Sequence, residues 1–185
     1  NGAAIACAEP AIATAVRLLC GYGHDPASEA SVPLGQRYIA EGYNVPLDPL
    51  QAALLLVKLP SLAVWTEQRR TIAAAYAAAL RGSAIGIPHL RPSSAPTFRA
   101  YAVQVPDPGA VCAHLRAAGV EAVRHYAPMI AEQPVYQGCL PGGDNLPVTT
   151  ALSASLVCLP VAPDLSADDI AYVVTALAKA VAATS

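Results

Sequence analysis

The chain has 185 residues, of which 55% are hydrophobic and 13% are charged. This composition predicts a globular chain with a large core and excludes general disorder, which requires low apolar content and high net charge. Because 11 Lys and Arg stand against 13 Asp and Glu, the net charge of −2 provides no basic field for a phosphate backbone. We therefore expect no nucleic-acid partner.

Cysteine and histidine spacing gives no sign of a metal site or a disulfide framework. The five cysteines include no C-x-x-C pair, and the four histidines lack ligand spacing. We therefore expect buried, reduced thiols in a cytoplasmic protein and no bound metal. The longest apolar run, 52–57, is far shorter than the roughly 20 residues that span a bilayer, so no membrane partner is expected. The chain opens without Met on an apolar segment, which indicates a start inside a domain.

The first elements are predicted from short apolar patterns and breaker residues. Ala3–Ala8 resembles a buried strand, and Pro10 suits the first turn of a helix that ends near Gly21. The polar segment 21–32 then predicts a loop.

Asp48 begins the clearest helix of the first half. Its side chain can cap the helix, and the next residue, a proline, suits the first turn. Gln51, three residues after the cap, can return a hydrogen bond to it. The segment Leu50–Leu59 is apolar almost all round, so we expect it to be buried on several sides and to need a large partner surface. This requirement favours an oligomer.

Pro60 separates this helix from a longer one. The Arg69–Arg70 pair is interpreted as a solvated flank of the second helix. Its predicted apolar face consists of Leu62, Trp65, Ile72, Tyr76 and Leu80.

From residue 82 onward the pattern predicts an α+β unit with helices on one face of a small sheet. Predicted strands are 97–105, where Tyr101, Val103 and Val105 share a face, 120–125, and 156–159. Predicted helices run from Asp107 to about Ala118, over 148–155, and from a capping box at Ser166–Asp169 with Ile170, Val173, Val174 and Leu177 inward. The segment 127–145 predicts a long loop, a common place for binding residues.

Common catalytic motifs are absent: the sequence contains no G-x-G-x-x-G, P-loop, G-x-S-x-G or H-E-x-x-H. Four segments nevertheless form a recognisable series. They are RLLCGYG (17–23), GYNVPLDPLQAALLLVKLPSLAVWTEQRRTIAAAY (42–76), HYAPMIAEQPVY (125–136) and LPVTTALSASLVCLPVAPDLSADDIAYVV (146–174). In this order they resemble the DegT/StrS family of pyridoxal-phosphate-dependent sugar aminotransferases.

The resemblance implies an α/β fold, namely the carboxyl-terminal portion of a fold-type-I pyridoxal phosphate aminotransferase. Residues 1–81 would form the remainder of the large cofactor-binding domain with its connecting helices. Residues 82–185 would form a small α+β domain with an antiparallel sheet. The lysine that anchors the cofactor would lie upstream of Asn1, so we expect no catalytic residue in this chain and a homodimer or a partner subunit that supplies the lysine half.

Three site residues follow from the resemblance. Asn44 matches the asparagine of the family's G-x-N-x-R-L motif and is expected to bind the cofactor phosphate; the alternative is that it only shapes a turn before Asp48. His125 and Tyr126 match an H-Y-P stretch near the sugar-nucleotide site and are expected to bind substrate; the alternative is a strand-end histidine beside a core tyrosine. Tyr101 matches an aromatic residue nearby, although packing is its expected role.

Several positions depart from the family pattern and leave the function open. The substituted residues are Pro46, Arg99, Ala127, Ala131 and Thr150, in place of arginine, histidine, proline, histidine and glutamate. The first hypothesis is amino transfer from a donor, typically glutamate, to a keto-sugar or nucleotide-linked keto-sugar in aminosugar or antibiotic biosynthesis. The alternative is a degenerate, non-catalytic partner subunit with a structural or regulatory role. An unrelated small α+β binding protein is a third, weaker interpretation.

Overall fold

Six α-helices and one pair of strands form in the part of the chain that this computed structural model describes, residues 3–25, 33, 37–136, 138 and 146–184. The chain divides into two units, Asn1–Leu62 and Ala63–Ser185. The elements are α1 (Pro10–Cys20), α2 (Pro49–Lys58), α3 (Leu62–Leu80), β1 (Tyr101–Gln104), α4 (Pro108–Ala117), α5 (Pro147–Ser153), β2 (Leu156–Leu159) and α6 (Ala167–Thr184).

The first helix confirms its predicted start and end, but the strand predicted before it is wrong. α1 has Pro10 in its first turn, and the amide of Gly21 donates to the carbonyl of Arg17 beyond its end. Residues 3–8 form no strand, and Ile5 is 68% exposed. A strand needs a neighbour to satisfy its backbone groups, and no strand of the described residues lies beside this segment.

Asp48 caps α2 as predicted. Its carboxylate oxygen Oδ1 accepts hydrogen bonds from the amides of Leu50 (2.8 Å) and Gln51 (3.1 Å). The expected burial does not occur within this chain: no residue of α2 is buried, and Leu50 and Val57 are 71% and 78% exposed. The apolar surface of α2 is thus available to another chain segment.

The helical stretch Pro49–Leu80 is long and apolar enough to cross a membrane when only length and composition are considered. Apolar helices of soluble proteins satisfy the same two criteria. The stretch also contains Lys58, Glu67, Arg69 and Arg70. The absence of a membrane partner stays a prediction.

The second unit contains the core. β1 and β2 are antiparallel, with Tyr101 opposite Leu159 and Val103 opposite Val157. Helices α3, α4 and α6 contribute buried side chains to the same cluster as the strands. The predicted inward faces of β1 and α6 are confirmed. The most completely buried side chains are those of Tyr76, Val103, Val111, Leu115, Val157 and Leu177.

Arg70 forms structural hydrogen bonds, so the prediction that it lies on a solvated flank of the helix is wrong. Its Nε atom donates to the carbonyl of Pro96 and its Nη2 atom to the carbonyl of Ala95, both at 3.1 Å. Its Nη1 atom lies 3.3 Å from the carboxylate of Glu67. The planar guanidinium thereby attaches the loop at 95–96 to α3.

The capping box at the start of α6 is confirmed. The carboxylate of Asp169 accepts hydrogen bonds from the hydroxyl (2.6 Å) and the amide (2.9 Å) of Ser166. These bonds lower the pKa of Asp169, because they favour its charged form. In return, the Ser166 hydroxyl accepts a hydrogen bond from the amide of Asp169 at 3.1 Å.

Two predicted strands are shorter than expected. Of the strand predicted over 97–105 only Tyr101–Gln104 forms, and the strand predicted over 120–125 is reduced to one bridge, between Val123 and Cys158. The compact units divide after Leu62, because α3 contributes Ile72 and Tyr76 to the core of the second unit. How these units relate to the large and small domains of a whole aminotransferase stays a prediction.

Candidate functional site

Asn44 is held in place by backbone pairing with the end of α1. It forms an isolated antiparallel bridge with Gly21. On either side, the amide of Tyr22 donates to the carbonyl of Tyr43 (3.2 Å), and the amide of Tyr43 donates to the carbonyl of Leu19 (2.6 Å). This pairing fixes the backbone from which the Asn44 side chain extends.

Two glycines allow this close approach. Gly23 has a positive φ of 77°, and a Cβ atom there would overlap the backbone carbonyl of Ala40. A Cβ atom at Gly42 would overlap the amide nitrogen of Gly23. Only glycine therefore fits at either position without moving the backbone.

The Asn44 carboxamide fits a phosphate contact. The residue is exposed, and within the residues that the structure describes its side chain makes no hydrogen bond. An amide NH₂ group is a suitable donor to a phosphate oxygen. Pro46, two residues later, offers neither a side-chain donor nor a backbone N–H.

His125 and Tyr126 line a cavity in the second unit. The cavity has a volume of about 230 Å³ and lies between the segment 124–129, α5 and the start of β2. The adjacent bridge holds this segment, since the amide of Cys158 donates to the carbonyl of Val123 at 2.8 Å. The complete lining is Arg124, His125, Tyr126, Ala127, Met129, Thr149, Leu152, Ser153 and Leu156.

The two aromatic side chains of the cavity lie close together. Their ring centroids are 4.6 Å apart with an interplanar angle of 39°. Tyr126 is 73% exposed, so it is not the core tyrosine of the alternative interpretation. An exposed aromatic face can stack on a sugar or base, and the imidazole of His125 can donate or accept a hydrogen bond. The peptide bonds His125–Tyr126 and Ala127–Pro128 are both cis.

The start of the long loop is fixed by side-chain contacts. The amide of Met129 donates to Oε2 of Glu132 at 2.9 Å, at the beginning of a 3₁₀ turn over Ile130–Glu132. The predicted long loop 127–145 lies only partly within the described residues, because residues 137 and 139–145 fall outside them.

Three polar residues of the cavity were missed by the sequence analysis. Arg124 donates from Nη2 to the backbone carbonyl of Ser153 at 2.7 Å, and Thr149 and Ser153 come from α5. The only sequence signal was the position of Arg124 directly before His125. Tyr101, by contrast, is buried and packs against Tyr76 with ring centroids 5.4 Å apart, which confirms its expected packing role.

Residues 1–178 match the model of the DegT/DnrJ/EryC1/StrS aminotransferase family. The chain belongs to this family. Its enzymes are pyridoxal phosphate-dependent, and the predicted fold class is confirmed by solved structures. A structure of S. venezuelae DesV in complex with a ketimine intermediate has a TM-score of 0.80 and 27% identity, covering 92% of this chain and 44% of DesV.

Two curated relatives have similar coverage. A dTDP-3-amino-3,4,6-trideoxy-alpha-D-glucose transaminase from Streptomyces venezuelae is 30% identical over 89% of this chain and 42% of its own length. The erythromycin biosynthesis sensory transduction protein EryC1 from Saccharopolyspora erythraea is 32% identical over 96% of this chain and 46% of its own length. The chain thus spans less than half the length of these two relatives.

Departures from the DegT/StrS pattern lie on and near the cavity. Ala127 is on the cavity wall, and Ala131 is buried. The hydroxyl of Thr150 donates to the carbonyl of Leu146 at 2.9 Å, within α5. The methyl group of Ala131 cannot form the hydrogen bonds of a histidine, and the hydroxyl of Thr150 lacks the charge of a glutamate.

The two lysines of the chain, Lys58 and Lys179, lie on exposed helix surfaces. Lys58 is exposed in the last turn of α2. Lys179 is exposed on α6, where it lines a separate cavity with His114 and Tyr172. Both positions suit a cation near a helix end or on a solvated face.

Proposed function

We propose that this chain is the carboxyl-terminal part of an aminotransferase that transfers an amino group to a keto-sugar or a nucleotide-linked keto-sugar. The main support is the family match over residues 1–178. The similarity to DesV and to a dTDP-aminosugar transaminase supports the sugar class and a role in antibiotic or other aminosugar biosynthesis. A cytoplasmic location is part of the same proposal.

In this proposal Asn44 contributes one hydrogen bond to the cofactor phosphate. Its exposed, unbonded carboxamide and its fixed backbone support this role. Pyridoxal phosphate, when bound, accepts an amino group from a donor such as glutamate and passes it to a ketone. The amine that anchors the cofactor comes from a lysine outside this chain, because neither Lys58 nor Lys179 fits.

His125 and Tyr126 form the proposed substrate contact. Tyr126 presents an exposed ring for stacking on the sugar or base, and His125 provides a ring nitrogen to a hydroxyl or phosphate. The cavity of about 230 Å³ is smaller than the roughly 300–1,000 Å³ of typical small-molecule sites. It therefore accommodates one part of a nucleotide-linked sugar.

The exposed apolar surface of α1 and α2 is evidence that another chain segment packs against it. Neither α1 nor α2 has a buried residue. We infer that the remaining part of the family fold covers this surface, since the relatives are more than twice as long as the matched segment. Light scattering of the chain, alone and mixed with the amino-terminal portion of a family enzyme, tests this inference. A stable homodimer of the chain alone would show that a second copy of the chain covers the apolar surface instead.

A regulatory or structural partner subunit is the second candidate. Pro46, Arg99, Ala131 and Thr150 stand where the family pattern has arginine, histidine, histidine and glutamate, so none of the four offers the same polar chemistry. One relative is itself named a sensory transduction protein. This candidate retains the fold and the association of subunits but requires no amino transfer.

Amino transfer distinguishes the two candidates. The full chain is incubated with pyridoxal phosphate, L-glutamate and a dTDP-linked keto-sugar, alone and with the amino-terminal portion of a family enzyme. We expect aminosugar by mass spectrometry only in the combined sample, because the lysine comes from the added portion. If the two portions associate and no aminosugar forms, the partner-subunit candidate replaces the first.

A further inference from the structure

Among the described residues, the lining of the cavity at His125 includes five side chains that can donate hydrogen bonds and no carboxylate. Arg124 and His125 are its groups capable of positive charge, and Tyr126, Thr149 and Ser153 add hydroxyls. None of its nine lining residues is Asp or Glu. Such a surface attracts anions and offers little to a positively charged ligand.

Arg124 holds a fixed position and has no acidic partner. One guanidinium nitrogen, Nη2, donates to the carbonyl of Ser153 at 2.7 Å. Within the described residues Arg124 forms no ion pair. Its guanidinium has further N–H donors in the same plane, and these match the two oxygens of a carboxylate or phosphate.

A carboxylate that lines a neighbouring cavity forms no ion pair with Arg124. Glu132 lines a neighbouring cavity that Arg124 also borders. Its Oε2 atom instead accepts the hydrogen bond from the amide of Met129. The guanidinium N–H groups of Arg124 that do not bond to Ser153 are thus available to a ligand within the described residues.

We propose that Arg124 is a specificity-determining residue that binds an oxyanion, a carboxylate or phosphate group, of the substrate in the His125 cavity. This inference rests on the proposed function and adds the class of substituent that the cavity selects. The bond to Ser153 orients the guanidinium at the end of α5, and the remaining N–H groups bind the oxyanion. The small cavity volume limits the ligand to one sugar ring or one phosphate group at a time.

The test measures binding of UDP, D-glucuronate and D-glucose to the full chain by calorimetry, without cofactor. We expect Arg124→Gln to weaken binding of an oxyanion ligand by about tenfold or more, since a charge-assisted hydrogen bond is lost. Arg124→Lys should have an intermediate effect, because a point charge lacks the planar fork. If Arg124→Gln weakens the binding of D-glucuronate but not of UDP, the cavity selects a carboxylate. If it weakens the binding of UDP but not of D-glucuronate, the cavity selects a phosphate.

Matched controls separate recognition from structure. Arg116→Gln removes an exposed arginine of α4 that does not line this cavity, so we expect unchanged binding. Thr149→Asp places a competing carboxylate in the cavity without removing the bond between Arg124 and Ser153, and should also weaken oxyanion binding. This second variant keeps the test valid if Arg124→Gln fails to fold.

The proposal is overturned if Arg124→Gln binds oxyanions as tightly as the unchanged chain. It is also overturned if D-glucose binding is weakened to the same degree, since that indicates a structural role. The outcome is independent of amino transfer: Arg124-dependent binding without transfer would overturn only the proposed function. Transfer to an anionic sugar with unchanged kcat/KM in Arg124→Gln would overturn only this inference.

Discussion

The hydroxyl of Tyr76, one turn before the end of α3, donates a 3.0 Å hydrogen bond to the backbone carbonyl of Pro160, just after β2. Tyr76 is completely buried, and its ring lies against that of Tyr101. Burial, and then the carboxylate of Asp169, raise the pKa of Tyr76 to about 12. One side chain thus joins the long helix to the sheet and resists ionisation.

Replacing Tyr76 with Phe should lower the free energy of unfolding at neutral pH by about 1–2 kcal/mol, because the Pro160 carbonyl loses its donor. The variant should also change how the free energy of unfolding depends on pH in the alkaline range. In the unfolded chain tyrosine loses its proton from about pH 10, whereas Tyr76 in the folded chain keeps it to about pH 12. The stability from protonated Tyr76 is therefore complete below about pH 10 and lost as the pH rises through about 12.

Urea unfolding at a series of pH values measures this difference. We expect a steeper loss of stability between about pH 10 and 12 in the unchanged chain than in Tyr76→Phe. Tyr172→Phe is the control, since Tyr172 is 56% exposed and should leave the steep decline in place. Parallel pH curves for the unchanged chain and Tyr76→Phe would contradict the prediction.

Local patterns predicted the second unit well and its sheet less completely. The caps at Asp107 and Ser166 and the alternation around Tyr101 and Val103 involve neighbours in sequence, and all three features are present. The prediction of a strand over 120–125 was wrong because a strand requires a paired neighbour, and only Val123 pairs with another residue, Cys158. The hydrophobic periodicity of one segment does not indicate how many of its residues pair with a second segment.

Arg70 and Arg69 provide a matched pair for testing a missed contact. Arg70→Ala should destabilise the chain by about 1–2 kcal/mol, because the carbonyls of Ala95 and Pro96 lose their donors. Arg70→Lys should recover little, since one ammonium lacks the planar geometry that reaches both carbonyls. Arg69→Ala should change the urea midpoint much less; equal midpoints for Arg69→Ala and Arg70→Ala would contradict the assignment.

The candidate site shows a similar limit of sequence reasoning. His125 and Tyr126 were found because they are adjacent and match a family motif. Thr149 and Ser153 were not, because α5 meets the segment 124–129 only in the folded chain. Arg124 is adjacent to His125 but depends on the carbonyl of Ser153, 29 residues away, for its orientation. Contacts between distant segments leave no periodic signal.

Gly42→Ala should disrupt the backbone that supports Asn44. The added Cβ would overlap the amide nitrogen of Gly23 and loosen the pairing between the end of α1 and residues 43–45. Hydrogen exchange of the Tyr22 and Tyr43 amides should therefore accelerate. Gly119→Ala is the control, since Gly119 has a positive φ of 74° but open space around it, which gives strain without overlap. Unchanged exchange in Gly42→Ala would show that the backbone accommodates the methyl group.

The role proposed for Asn44 can be tested with two forms of the vitamin. In an assembly that binds the cofactor, Asn44→Ala should weaken the affinity for pyridoxal phosphate by about tenfold, because one hydrogen bond to a charged oxygen is lost. Asn44→Asp should weaken it further, since a carboxylate repels the phosphate. Pyridoxal, which has no phosphate, should bind equally to all three chains in absorbance titrations. If Asn44→Ala weakens both forms equally, Asn44 supports the turn before Asp48 rather than the phosphate.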